Sequence, residues 1–121
     1  MAEGLGAAGA NTALDALLAA YPWVKLHVGA PGAAGTANPA VHTERKQATW
    51  TAAAAGAASN SAQLQWTDVD GAEDFTHFTC WSASTAGNFG FSGTVTANAV
   101  LVGDTFTINT GDQDVSFPLA S

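Results

Sequence analysis

The stretch FTHFTCWS-ASTAGN-FGFSGTVT, residues 75–96, decides the fold. In its first eight residues Phe78 and Cys80 fall on one face while His77, Thr79 and Trp81 fall on the other, because side chains along a strand alternate with period two. Residues 83–88 are small and polar and carry the Gly and Asn that tolerate positive φ, so they read as a hairpin connection into a second strand, Phe89 to Thr96. Gly103-Asp104 and Gly111-Asp112 punctuate two further strands, Asp104 to Ile108 and Asp114 to Phe117. The carboxy-terminal part of the chain is therefore a β-meander.

Working back from it, residues 61–66 alternate with Ala62, Leu64 and Trp66 inward and Gln63 and Gln65 outward. Residues 52–59 are nearly all Ala and Gly and read as a loop or a single turn. A strand beginning near Arg45 carries Ala48 and Trp50 on one side. Residues 29–40, with five Gly or Pro in twelve, form a long loop. Before it, Trp23 to Val28 is a strand with Val24, Leu26 and Val28 facing the core. Leu14, Leu17, Leu18 and Tyr21 recur at helical spacing, with Thr12 as N-cap, Asp15 completing a capping-box pattern and Pro22 as the stop. Residues 1–11, rich in Gly and Ala, read as a flexible arm and residues 12–121 as one domain. About seven strands and one short helix imply a mainly β chain, a β-sandwich or jelly roll.

Ala supplies 27 of the apolar residues, whereas Leu, Ile, Val and Phe number only 23, so the core is thin and neighbouring subunits are expected to complete it. The helix must bury Leu14, Leu17, Leu18 and Tyr21 on its own sheet or on another subunit, and Trp23 reads as a rim residue or an intersubunit anchor. Ten acidic residues against three basic ones leave no surface for neutralising phosphates or anionic lipid, so neither nucleic acid nor membrane is an expected partner. The first dozen residues hold no Lys or Arg and the run Ala13 to Ala20 is too short to span a bilayer, so the protein is expected to act without membrane passage of its own.

The chemical motifs are sparse. Asp68-Val69-Asp70-Gly71-Ala72-Glu73-Asp74 opens like a calcium loop, but Thr79 stands where the closing carboxylate is needed, which leaves a solvated turn as the plainer reading. His27, His42 and His77 lie in different elements without ligand spacing, so no metal is expected. Cys80 cannot form an intrachain disulfide and reads as a core filler. There is no nucleophile elbow, dinucleotide fingerprint or phosphate loop, so no catalytic residue or cofactor is assigned.

Gly4-Leu5, Asn11, Leu14 to Leu18, Leu26-His27, Arg45 to Trp50, Thr76-His77-Phe78, Gly103-Asp104-Thr105-Phe106 and Gly111-Asp112 together resemble small virion proteins of tailed phages, especially those infecting actinobacteria. Such proteins carry the labels tail-fibre or minor tail protein, and some small β-domains of this kind decorate capsids. The resemblance implies a structural, non-enzymatic subunit of the virion, assembled in the host cytoplasm. It also implies a homo-oligomer, for which a trimer is the expectation, in contact with major capsid or tail proteins. The alternative is a module that recognises host glycans through exposed aromatic rings.

Overall fold

A computed structural model describes residues 4–117 and 119. Helix α1 (Ala7–Ala20) precedes eight strands: β1 (Trp23–His27), β2 (Lys46–Gln47), β3 (Ala57–Ser59), β4 (Leu64–Trp66), β5 (Glu73–Trp81), β6 (Phe89–Val100), β7 (Phe106–Ile108) and β8 (Asp114–Ser116). They form one four-stranded sheet in the order β2-β1-β5-β6 and two antiparallel pairs, β3-β8 and β4-β7. The chain is thus mainly β with a β-sandwich-like build, as the alternation predicts.

The main core lies between the large sheet and the β4-β7 pair. Val24 pairs with Cys80 and Leu26 with Phe78. Those four residues pack with Leu64, Trp66, Val69, Phe75, Phe106 and Ile108 in one buried cluster. Phe75 meets Phe106 edge-on at 4.9 Å between centroids, the arrangement that aromatic quadrupoles favour. The β5-β6 ladder is regular from Phe91 to Thr94 and shifts register on either side. At one shift Gly90 lies under the Tyr21 ring, and an added Cβ would come within 2.3 Å of it.

Several elements differ from the sequence reading. The helix begins at Ala7, so residues 7–11 of the expected arm are helical; Gly6 is the N-cap and offers no side chain. Thr12 is not the cap, and its hydroxyl donates to the Ala8 carbonyl one turn back. The Ala-rich start has high helix propensity, and it is anchored where Ala10 is fully buried and Asn11 accepts a hydrogen bond from the Gly56 amide at 2.9 Å. Within the expected loop 52–59, Ala57–Ser59 is a strand, because β8 supplies a partner for its backbone. Pairing with β1 stops at Gln47, and Trp50 makes only an isolated bridge to Asn60. Ala62 is exposed, because regular pairing starts only at Leu64, opposite Ile108. β6 runs on to Val100, four residues beyond the expected end.

Candidate functional site

The residues expected to meet other subunits divide by burial. Leu14 and Leu18 are within the chain's own second cluster with Ala58, against Trp50, Phe91, Val115 and Phe117. They are therefore unavailable as intersubunit contacts while the helix is docked. Leu17 and Tyr21 are half-buried. Trp23 is half-buried too, flanked by Gln47 and Trp81 on neighbouring strands, so it is no free-standing anchor. The Asp15 carboxylate accepts from the Ala53 amide at 2.9 Å, which ties the helix to the following loop rather than capping it.

The outer face of β1 and β5 is covered by the long loop after β1. There the Trp81 indole N–H donates to Thr79 Oγ1 at 2.7 Å, the Thr79 hydroxyl donates to His27 Nε2 at 2.8 Å, and His27 Nδ1–H donates to the Ala37 carbonyl at 2.9 Å. The carbonyl can only accept, which fixes the neutral Nδ1-protonated tautomer. His27 is fully buried, and loss of solvent pushes its pKa below the ordinary value. This histidine is a structural joint, satisfied on both nitrogens.

Arg45 closes the loop. Its guanidinium lies 4.5 Å from the Trp81 ring and donates to the carbonyls of Ala83 and Ala86 at 2.8 and 2.7 Å, which fastens the β5-β6 turn. Burial, and after it the nearby Arg45 charge, lower the pKa of Lys25, while Lys46 pairs with Val24 at the β1-β2 edge. Glu44 engages Lys46 at 3.2 Å.

The acidic turn is organised by hydrogen bonds within the chain. Glu73 Oε1 accepts from the Val41 amide at 2.7 Å, and the Asp70 amide donates to His42 Nδ1 at 3.2 Å. The remaining His42 nitrogen then faces Glu44 Oε1 at 3.3 Å. Among the described residues no group of three or more His, Cys, Asp or Glu could hold a metal ion. Cys80 is buried, and desolvation raises its thiol pKa far above the reactive range.

Two surface features escaped the sequence reading. One is an aliphatic tip, where Val41, Leu101 and Val102 are all more than 60% exposed. Its signal was the pair Leu101-Val102 directly before a Gly-Asp turn. The other is β6 itself, which lies at the free edge of the large sheet. From Phe91 to Thr96 its side chains alternate between half-buried and exposed, and none is fully buried. Between β6 and β7 runs an open groove of about 390 Å³ lined by Val95, Thr96, Phe106, Thr107, Ile108, Asn109 and Asp112.

The family model described as Podophage GP4 fiber I protein gp80 matches residues 6–116, helix and all eight strands included. No curated protein matches the chain. The match spans well over half of the sequence, so the chain belongs to that family of phage fibre proteins.

Proposed function

We propose that this member of a podophage fibre-protein family is a structural subunit of the virion that works as a homo-oligomer attached to tail or capsid proteins. The observation that carries the reading is the match over residues 6–116, which takes in the whole folded core rather than one motif. The chemistry agrees with it. The histidines are tied up in hydrogen bonds of the fold, the thiol is buried, and the polar side chains serve turns and loops. The thin aliphatic inventory fits a subunit that gains contacts from neighbours. A trimer on a threefold virion site, a host among actinobacteria, a decorating position on the head and assembly in the host cytoplasm are finer forms of the same proposal.

The glycan-recognition reading needs an aromatic platform. Among the described residues none of the exposed large apolar side chains is aromatic; they are Leu5, Val28, Val41, Leu101, Val102 and Leu119. A stacking surface for sugars would therefore have to be built by assembly.

Gold labelling of an epitope-tagged protein on purified particles tests the role. The proposal expects label at a fixed site on every particle, concentrated on the tail fibres. Particles without label, from cells that make the tagged protein in quantity, would overturn it.

A further inference from the structure

Strand β6 is the longest strand described, and one of its two edges has no strand partner among the described residues. A free edge presents a row of backbone N–H and C=O groups that can template another strand. Proteins that stay monomeric usually blunt such an edge with Lys, Pro or inward-pointing charge. Residues 89–100 contain no charged residue and no Pro. The register irregularities lie toward the two ends and leave Phe91 to Thr94 regular. The exposed side chains there, Ser92, Thr94 and Thr96, are small, β-compatible and able to pair with themselves across strands.

We propose that the β6 edge is a self-association surface, where β6 of a second copy of this chain pairs antiparallel with β6 around a twofold axis near Gly93. This rests on the reading that the protein works as an oligomer and names the surface it uses; because a twofold edge pairing cannot close a threefold ring, it puts a dimer in place of the expected trimer. Charge selects a second copy as the occupant. The chain carries a net charge of −7, yet residues 89–100 hold no carboxylate, so two β6 strands can meet without opposing charges along the ladder itself; the acidic side chain that lines the groove beside Val95 and Thr96 is Asp112. The symmetry fits as well. An axis normal to the sheet joins two four-stranded sheets into one of eight strands, with the same patch used on both sides, as a twofold interface requires. It also places both β4-β7 pairs on one side, so the grooves lined by Val95 and Ile108 merge beneath the joined sheet. The half-buried Val95 at the groove then gains cover that one copy alone does not give it.

The test is sedimentation equilibrium of the full chain and of two charge variants, Ser92→Lys/Thr94→Lys and Ser92→Glu/Thr94→Glu, with circular dichroism to verify the fold and Ala62→Lys as a control away from the edge. The parent and the control should self-associate, each charge variant alone should associate at least tenfold more weakly, and an equimolar mixture of the Lys and Glu variants should recover association. Self-association that both charge variants retain would overturn the edge while leaving the oligomer in place. A parent that remains monomeric at high micromolar concentration would overturn the edge and the oligomeric reading together. If a variant misfolds, the Lys–Glu mixture still decides, since recovery of folded dimer requires the two edges to meet.

Discussion

The two flanks of the sandwich are finished differently. On the helix side Leu14 and Leu18 are sealed under α1, Asp15 and Asn11 hold the loop at 53–56, and the small β3-β8 pair completes the cover. Grooves occur on both sides, one of about 520 Å³ beside α1 lined by Leu18, Pro22 and Trp50 and one of about 390 Å³ between β6 and β7, but on the β6-β7 side the long strand edge is also bare among the described residues. The contrast shows where the chain has spent its few large aliphatic residues. The helix buries its Leu14 and Leu18 face within one chain, whereas the β6 edge keeps its backbone groups unpaired among the described residues. Trp50 and Phe91, which touch both clusters, make the two flanks one structure.

Truncation on the two sides should break the symmetry most visibly. Leu14→Ala removes a fully buried side chain from a small cluster and should cost about 3 kcal/mol, within the range for Leu→Ala in cores. Val95→Ala, half-buried at the groove, should cost about 1 kcal/mol or less. Urea denaturation of both variants checks the difference, and equal losses would mean that the helix flank is no better sealed than the seam. Gly90→Val should destabilise by about 1–3 kcal/mol, since its Cβ would overlap the Tyr21 ring where the helix meets β6. A wild-type melting temperature for that variant would show that Tyr21 does not lie on β6.

The covered face gives a pH signature. Burial depresses the pKa of His27 in the folded chain, so the unfolded chain takes up the proton first as pH falls. The contribution of His27 to stability is therefore complete above its unfolded pKa of about 6.5 and is lost as pH drops below it. Melting temperatures between pH 7.5 and 5 should fall more steeply in the parent than in His27→Gln; parallel curves would remove His27 from the account. The smallest effect has the opposite sign. Both amide atoms of the buried Gln113 side chain lack a hydrogen-bond partner among the described residues, so Gln113→Met should be neutral or stabilising by about 1 kcal/mol in thermal denaturation. A clear loss would mean that the amide is satisfied by a group outside the chain.

The sequence made most strand faces legible where the period-two signal was carried by large side chains, as in Val24 and Leu26, Leu64 and Trp66, or Phe78 and Cys80; Val28, expected on the core face with Val24 and Leu26, is exposed because β1 ends at His27. The Leu14 and Leu18 face of the helix was legible for the same reason. What stayed hidden was set by tertiary partners. Residues 7–11 look like a linker because Gly and Ala carry no periodicity, yet the contacts of Ala10 and Asn11 with the turn at Gly56 hold them in the helix. Ala57–Ser59 becomes a strand only because β8 arrives beside it. The end of β6 was misjudged because residues 97–100 are small and weakly patterned, and their pairing with Glu73 to Phe75 resumes beyond a register shift. Arg45 reads in sequence as part of a charge cluster, whereas in space it acts through Trp81 and two carbonyls. A phage protein of the tail-fibre type was anticipated from scattered short motifs, and the match over residues 6–116 supports that coarse reading.

The central structural claim is that one chain shuts its helix flank and leaves the β6 edge open. Amide hydrogen exchange, followed residue by residue in dilute solution, tests it most directly. The account predicts slow exchange along β5 and from Asn11 to Ala20, and alternation along Phe91 to Thr96, where amides paired to β5 are slow and those on the free edge are as fast as loop amides. Uniform protection along β6 at high dilution, or helix amides that exchange as fast as the loop at 29–40, would contradict it.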